Sequence, residues 1–369
     1  MRLLPKGFRC TSMDTSSAQE TDVMGNAPTT SVSSVGDEPR STSAAVRYSP
    51  DLMDTDNSIA ARDAGLLNAF TVDVEDYFHV AALSSAIARD SWSTRELRVV
   101  GNIERLLGIL DAHDVHATFF VLGWLAERVP ALVRRIADAG HEIACHGFSH
   151  QLVYRQTPVE FRDETVRAKN FLEDTVGRAV LGYRAASFSV TRDSLWALDV
   201  LIDLGFHYDS SVFPIRHDLY GLPGATPEPH RISAPSGRTL AEFPMSTASF
   251  FGLRVPVSGG GYFRILPYWL TRAGLRQINE QRERPFAFYL HPWELDPGQP
   301  RLRVGAFSRF RHYTNLSRCE ARLEHLLGDF AFTTMHEALQ QRGLVAFERA
   351  SATRPRRAAA LAPGRLPAG

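Results

Sequence analysis

The segment FTVDVEDYF, residues 70–78, constrains the fold and chemistry of this chain more than any other stretch. An apolar, β-branched run, typical of a buried strand, ends in three carboxylates within four positions, Asp73, Glu75 and Asp76. Carboxylates at the end of a buried strand are costly unless a metal ion or a catalytic task compensates their charge. The simpler alternative is that one of them caps the helix that follows.

A second strand-like run, HEIAC, is followed by two histidines in HGFSH, His146 and His150. A pair with this spacing often arises by chance, so the motif alone does not establish a site. Together with a carboxylate, however, two imidazoles are a standard ligand set for zinc or a similar divalent ion. The sequence therefore predicts a divalent metal site, with zinc favoured.

The composition is that of a globular protein without a strong electrostatic partner. The chain has 369 residues, 44% of them hydrophobic and 22% charged, with 41 basic and 41 acidic side chains. This balance argues against nucleic acid or an anionic membrane as a general partner. Three distant cysteines, Cys10, Cys145 and Cys319, do not form a disulfide framework and indicate a reducing compartment.

Both ends of the chain differ in composition from its middle. Residues 1–62 are rich in Ser, Thr, Asp and Ala without a hydrophobic period, and we predict that they are disordered. The arginine-rich residues 349–369 are predicted to be a disordered tail. Neither a secretion signal nor a transmembrane segment is recognisable. Cytoplasmic localisation follows as the expectation.

Between these ends, short apolar runs alternate with amphipathic segments, which predicts an α/β fold with a parallel sheet. Helices are expected at residues 127–140, 158–176 and 193–204, the second with Thr157 as its N-cap. Residues 221–262, rich in Pro and Gly, are expected to form a long loop or a small β-insertion. The run FAFYL, residues 286–290, is expected to be the last core strand.

Chemically useful side chains end or follow most of the predicted strands. They are Asp73, Glu75, His146, Arg184, Asp209 and His291. Because the carboxyl ends of parallel strands lie at one edge of a sheet, we expect these side chains to meet there. Taken singly, these side chains also have structural explanations. The alternatives are an ordinary ion pair for Arg184, a place in the core for His291 and a turn cap for Asp209.

The ordered motifs DVEDYFH, ATFFVLGW, HEIACHGFSH, GYRAASFS, YDSSVFP, SGGGYFR and FYLHPWELDP together carry a family resemblance. The chain resembles the NodB-homology polysaccharide deacetylases of carbohydrate esterase family 4. More narrowly, it is similar to the branch found with exosortase and exopolysaccharide gene clusters. The resemblance covers residues 66–345, including a C-terminal extension at residues 292–345. It implies a distorted (β/α)7 barrel and metal-dependent removal of N-acetyl groups from amino sugars.

The resemblance also assigns roles to residues on the metal side of the site. Asp73 matches the catalytic base, and His146 and His150 match the metal ligands. Members of the family commonly have two adjacent aspartates at the strand end, whereas Val74 follows Asp73 here. Strand alternation places Asp73 and Glu75 on one face, so Glu75 is preferred as the third ligand, with Asp76 as the alternative.

On the opposite side, Arg184 matches the arginine that orients the base, and His291 matches the histidine that acts as the acid. Asp209 is the expected partner of that histidine. The family usually has proline two residues after the arginine, where this chain has Ala186. A backbone N–H near Ser187 is expected to stabilise the oxyanion. Four aromatic side chains are candidates for a sugar-stacking wall or for the core, Tyr77, Phe78, Tyr262 and Trp293.

The partner implied by the resemblance is an N-acetylated glycan, together with exopolysaccharide assembly proteins, and the oligomeric state is left open. Two alternatives remain at this point. Relatives with this barrel hydrolyse cyclic amides such as allantoin, although the histidine pair argues against that activity here. A non-catalytic carbohydrate-binding or scaffold protein is the other alternative, and retention of base, ligands and acid argues against it.

Overall fold

The computed structural model describes residues 66–217, 220–250 and 252–346. The disorder predicted for residues 1–62 and for residues 349–369 lies outside the described residues. The described part of the chain contains eleven strands: β1 (Asn68–Val74), β2 (Thr118–Val121), β3 (Glu142–Cys145), β4 (Gly182–Tyr183), β5 (Tyr208–Asp209), β6 (His230–Ser233), β7 (Thr239–Glu242), β8 (Thr247–Phe250), β9 (Leu253–Pro256), β10 (Ala287–Leu290) and β11 (Phe332–Thr333).

Ten α-helices are found in the same ranges: α1 (Val99–Ala112), α2 (Gly123–Arg128), α3 (Pro130–Asp138), α4 (Pro158–Val176), α5 (Trp196–Asp203), α6 (Gly260–Ile265), α7 (Tyr268–Arg276), α8 (Ala306–Tyr313), α9 (Cys319–Asp329) and α10 (Met335–Gln341). No helix in the described ranges is both long and apolar enough to cross a membrane.

The main sheet has the strand order β10-β1-β2-β3-β4-β5-β7-β6, and β11 pairs with β1. Every neighbouring pair from β10 to β7 is parallel, which gives seven parallel strands, while β6 is antiparallel at the edge. The strands β8 and β9 form a separate antiparallel pair. The predicted α/β architecture of a distorted (β/α)7 barrel is thus confirmed.

The sheet is curled, since side chains from both of its ends meet in one buried cluster. Ala287 of β10 and Ala241 of β7 belong to it together with Phe120 of β2 and Ala144 of β3. Alternate residues of the same strands point outward into a larger core against the helices. Strand alternation therefore gives β1 an outer apolar face and an inner face that carries Asp73.

A seam separates β7 from β10, and loops close it instead of a strand ladder. The backbone N–H of Tyr289 donates to the carbonyl oxygen of Ser258 at 2.8 Å. Next to this contact, Gly259 has a φ of 126°, and a Cβ there would lie 1.9 Å from the carbonyl oxygen of Tyr289. Only glycine permits so close an approach, which accounts for the first glycine of the SGGGYF motif.

The predicted helix at residues 158–176 is confirmed with its cap. The Thr157 side chain accepts from the backbone N–H of Glu160, and the Glu160 side chain accepts in return from the backbone of Thr157. Gly177, with a φ of 69°, ends the helix in the left-handed conformation. The cap and the terminal glycine depend only on neighbouring residues, so the sequence was sufficient to predict this helix.

Other predicted elements were wrong in their bounds. The helix expected at residues 127–140 is two helices, α2 and α3, because Pro130 begins the second one and the residue before a proline avoids the helical region. The helix expected from residue 193 begins at Trp196. The segment 221–262, expected to be a loop or a small β-insertion, contains the antiparallel pair β8 and β9 and also adds β7 to the main sheet. The strand expected to be the last, at residues 286–290, is followed by β11.

Candidate active site

Arg184 binds the carboxylate on the inner face of β1. Its Nη1 donates to Oδ1 of Asp73 at 2.6 Å and to the hydroxyl of Thr71 at 2.9 Å. Its Nε and Nη2 donate to the carbonyl and hydroxyl oxygens of Ser210 at 3.2 and 3.0 Å. The guanidinium carbon lies 4.0 Å from the ring centre of Phe120. The buried guanidinium is therefore held on several sides.

This ion pair positions a carboxylate more than it stabilises the fold. Attraction within a buried pair is largely offset by desolvation of the two charges. Arg184 occupies Oδ1 of Asp73, whereas Oδ2 faces Nε2 of His291 across 4.0 Å. One oxygen of Asp73 is thus directed toward the centre of the site.

Glu75, His146 and His150 bring three ligand atoms within 4.8 Å of one another. Oε1 of Glu75 lies 3.1 Å from Nε2 of His146 and 2.9 Å from Nε2 of His150, and all three side chains are buried. Burial alone would raise the pKa of Glu75, but His150, His146 and His291 outweigh it and hold the pKa well below its usual range. Glu75 is therefore an anion that faces two imidazole nitrogens.

The Nε2 atoms of both imidazoles face the same carboxylate oxygen, Oε1 of Glu75. Nδ1 of His146 lies 2.8 Å from the carbonyl oxygen of Arg184, which can only accept. In neutral His146, Nδ1 therefore carries the proton and Nε2 presents a lone pair to Glu75. Nε2 of His150 is buried and has no other partner than Glu75 among the described residues. Two imidazole nitrogens and a carboxylate oxygen that converge in this way fit a divalent cation.

Asp76, the alternative third ligand, is occupied by the backbone. Its Oδ1 accepts from the N–H of Tyr77 at 2.8 Å, and its Oδ2 accepts from the N–H groups of Arg98 and Val99 at 2.6 and 2.9 Å. Burial raises the pKa of Asp76 to about 6 in spite of these bonds. Asp76 therefore has the capping role that was the structural alternative for these carboxylates. The carboxylate that lies with His146 and His150 is Glu75.

His291 lies on the other side of Asp73 and is held from behind. Its Nδ1 lies 2.8 Å from Oε1 of Glu294, and Oε2 of Glu294 accepts from Nε of Arg264 at 2.6 Å. Burial lowers the pKa of His291, but the hydrogen bond to Glu294 and the charge of Glu75 outweigh it and raise the pKa to about 9. At neutral pH His291 is therefore an imidazolium beside the carboxylate of Asp73.

The expected pairing of Asp209 with His291 was wrong, because Glu294 takes that place. Asp209 ends β5, where its Oδ1 accepts from the hydroxyl of Ser211 at 2.5 Å. Its neighbour across the sheet is Glu242 of β7. Burial raises the pKa of both carboxyls, that of Asp209 to about 6. Asp209 supports the strand ends beneath Arg184.

The loop after Arg184 is fixed although Ala186 stands where proline is usual. The backbone N–H of Ala185 donates to the hydroxyl of Ser211 at 2.8 Å, and Ala186 is buried. Ser187 has a φ of 52°, a left-handed conformation that costs about 1–3 kcal/mol for such a residue. Strain of this kind persists where the surrounding structure enforces it, and it is found most often at functional sites.

Three of the four aromatic candidates for a sugar-stacking wall belong to the core. Tyr77, Phe78 and Trp293 are buried in one cluster, and the Trp293 ring stacks on His291 with a centroid distance of 5.1 Å. Tyr262 is half-buried and lines a cleft of about 450 Å³ together with residues such as Arg216 and Arg254. Of the four, Tyr262 alone lines this cleft.

Sequence reasoning missed two residues of the acid side. Glu294 lies three residues after His291 in HPWE, and this spacing is a local signal that a turn would bring the two together. Arg264 had no comparable signal, because 30 residues separate it from Glu294. Such a contact depends on the tertiary fold alone.

Comparison with known proteins divides the chain into two regions. Residues 91–208 match the family model described as polysaccharide deacetylase, and residues 210–340 match a domain of unknown function, DUF3473. The first match contains His146, His150 and Arg184. It leaves out the carboxylates of β1 and the acid side around His291.

Curated relatives resemble part of this chain. A chitooligosaccharide deacetylase of Bradyrhizobium sp. is 33% identical over 96 residues, which are 26% of this chain and 42% of that protein. A peptidoglycan-N-acetylglucosamine deacetylase of Bacillus cereus is 33% identical over 96 residues, 26% of this chain and 35% of its own. The chain thus spans less than half the length of these relatives.

A crystal structure of a Mycobacterium smegmatis protein, assigned as a polysaccharide deacetylase, aligns with 77% of this chain and 96% of its own. The sequence identity is 21% and the TM-score is 0.48. A likeness at this level carries no argument about function.

Proposed function

We propose that this chain, whose residues 91–208 belong to the polysaccharide deacetylase family, removes N-acetyl groups from amino sugars of a polysaccharide or its precursor. One observation carries the proposal. A buried carboxylate held by an arginine, a cluster of three metal-ligand side chains and a protonated histidine all lie at the carboxyl edge of one sheet. Metal-assisted hydrolysis of an amide uses a base for the water, a cation for the carbonyl oxygen and an acid for the leaving amine.

Glu75, His146 and His150 would hold the divalent ion, for which zinc is our proposal since two nitrogens and one oxygen suit it. When bound, the ion would acidify a water molecule and polarise the acetamide carbonyl. The second contact of His146, from Nδ1 to the carbonyl oxygen of Arg184, fixes the ring so that Nε2 faces the ion.

Asp73 is proposed as the general base. The Arg184 guanidinium fixes its orientation through Oδ1. Oδ2 then takes a proton from the attacking water, whose oxygen forms a bond to the acetamide carbon. A backbone N–H near Ser187, in the strained loop that follows Arg184, is proposed to face the oxyanion that develops.

His291 is proposed as the general acid. Its Nε2, on the side of Asp73, donates a proton to the amine nitrogen as the carbon–nitrogen bond breaks. Glu294 holds Nδ1 and keeps the imidazole charged, and Arg264 keeps Glu294 ionised. Burial would raise the pKa of Glu294, but Arg264 and His291 hold it at about 2. The products are acetate and the free amine of the sugar.

The finer assignments rest on the resemblance described above. We propose an exopolysaccharide as the pathway product, assembly proteins of that polysaccharide as partners, and the cytoplasm as the compartment. Two buried, unpaired thiols, Cys145 and Cys319, accord with a reducing compartment.

The test is acetate release from chitooligosaccharides by the full chain, measured before and after chelation and again after zinc is restored. We expect activity to disappear with the metal and to return with it. The matched control is His325→Ala, which removes an exposed histidine from α9 and is expected to leave activity unchanged. Metal-independent release, or no release from any N-acetylated glycan by the metal-loaded protein, would contradict the proposal.

A further inference from the structure

The described surface around α8 is strongly basic although the whole chain is neutral. Residues 297–319 contain five arginines and no aspartate or glutamate. Arg301, Arg303 and Arg309 are exposed. Among the described residues none of the three forms an ion pair, whereas exposed arginines elsewhere, such as Arg162 and Arg238, do so. The positive charge of this segment is therefore directed to solvent.

Two phenylalanines are exposed on the same helix. Phe307 is 72% exposed and Phe310 is 52% exposed, one turn apart. Their spacing places both rings on one face of α8, and the guanidinium carbon of Arg311 lies 5.5 Å from the ring centre of Phe307. Isolated exposed apolar residues are ordinary, but two neighbouring aromatic rings within an acid-free, arginine-rich segment are not.

The helix is held rigidly from below. His312 and Tyr313 are buried, and the Arg264 guanidinium donates to the carbonyl oxygens of Arg311, His312 and Thr314 at 3.0, 2.9 and 2.8 Å. The same guanidinium holds Glu294. The exposed rings are therefore presented by a fixed element that is one side chain away from the acid side of the site.

We propose that α8 and the arginines before it form a docking surface for the face of an anionic lipid membrane. A short helix with aromatic rings flanked by arginines has the chemistry of an interfacial element: the rings enter the boundary of the acyl chains and the guanidinium groups meet anionic headgroups. The proposed partner is the surface of a bilayer that contains anionic lipid. This inference does not depend on the hydrolytic activity.

Charge and shape favour this occupant over two others. A polyanionic glycan would meet the arginines and its sugars could stack on Phe307 and Phe310, but it would not bury the two rings in an apolar phase. A second copy of the chain would have to bring an acidic face to these arginines, since like charges would otherwise meet across the twofold axis. An anionic bilayer buries the rings and meets the positive charge with one partner.

The experiment is co-sedimentation of the full chain with vesicles of phosphatidylcholine alone and with vesicles that contain about one quarter phosphatidylglycerol. We expect binding to the anionic vesicles that weakens as salt rises. The double variant Phe307→Ser/Phe310→Ser should weaken it about tenfold or more. Arg303→Gln/Arg309→Gln should weaken it about twenty-fivefold at low salt, from about fivefold per arginine.

Matched controls carry the same substitutions at exposed positions elsewhere: Trp269→Ser on α7, where the ring is 69% exposed, and Arg134→Gln on α3. Both should bind like the unchanged chain. The proposal is overturned if the unchanged chain does not bind anionic vesicles, or if the controls lose as much binding. It is also overturned if the phenylalanine variant converts a dimer to a monomer, or if an anionic polysaccharide displaces the vesicles and the phenylalanine variant binds normally.

Discussion

The two sides of Asp73 solve the same electrostatic problem in opposite ways. On one side, Glu75 faces two imidazole nitrogens, of which Nε2 of neutral His146 presents a lone pair, and this donor set fits a cation. On the other side, His291, Glu294 and Arg264 alternate in charge and satisfy one another. The ligand side therefore depends on a cation from solution to balance Glu75, whereas on the acid side His291 and Arg264 balance Glu294.

The largest expected effect breaks the ligand side. His146→Ala removes a nitrogen ligand and the contact to the carbonyl oxygen of Arg184, so metal content should fall from about one ion per chain to near zero. Deacetylation should fall to background. Elemental analysis and acetate release on the same preparation measure both, and full metal retention in this variant would contradict the ligand assignment.

The third ligand is decided by a pair of variants. Glu75→Ala should lose the metal, since its oxygen is the carboxylate in the cluster. Asp76→Ala should keep the metal and lose about 0.5–2 kcal/mol of unfolding free energy, because Asp76 caps backbone N–H groups. Denaturant unfolding monitors the second effect. Metal loss in Asp76→Ala together with metal retention in Glu75→Ala would contradict this assignment and make Asp76 the third ligand.

The second largest effect tests the carboxylate between the two sides. Asp73→Asn should keep metal and fold but lose about two to four orders of magnitude in kcat, the usual range for general acid–base catalysis. The asparagine still accepts from Arg184, so circular dichroism and metal content serve as controls. Turnover near that of the unchanged chain would mean that another group takes the proton from water.

A smaller effect concerns the acid side and its pH dependence. His291 must be protonated to donate, so activity should fall as pH rises through its pKa, which lies at about 9 in the metal-free site. A cation at Glu75 removes part of the negative charge that supports the imidazolium, so the alkaline limb of the loaded enzyme should lie at or below that pH.

Glu294→Gln sharpens this test. It removes the anion that holds Nδ1 of His291, which lowers the pKa of the imidazole and moves the alkaline limb to lower pH, with a loss of about tenfold to a hundredfold at neutral pH. The pH profile of kcat measures it. An unchanged limb together with a lower melting temperature would reduce Glu294 to a structural role.

The smallest effect is on stability. Removal of the metal should lower the unfolding free energy by about 3 kcal/mol at a metal concentration a hundred times the Kd, because only the folded chain gathers the three ligands. Thermal unfolding with and without a chelator measures it. His146→Ala should abolish the difference, and a chelator effect that survives in this variant would place the metal elsewhere.

The sequence predicted those features whose causes are local or repeated at every strand. The strand ends next to Asp73, His146 and His291 were placed to within one residue, since an apolar run followed by a polar residue is visible in the sequence. The choice of Glu75 over Asp76 followed from strand alternation, although the strand ends at Val74. Pro130 was overlooked, and its signal was equally local.

What could not be predicted depends on distant contacts. The pairing of β7 with β5 and of β11 with β1 was missed because β7 has four residues and β11 has two, and strands this short carry little pattern of their own. Arg264 reaches Glu294 only in the folded chain. Net charge says nothing of how charge is distributed, because a sum over the chain hides an acid-free segment such as residues 297–319.

The position of β1 in the sheet has a consequence for synthesis of the chain. The strand that carries Asp73 pairs with β2 soon after it, but its other partners, at Ala287 and Thr333, emerge from the ribosome long after it does. Because His291 follows β10, formation of the whole site must await nearly the whole barrel. Such long-range pairing makes folding slow and exposes intermediates. We expect nascent chains that stop before β10 to depend on chaperones.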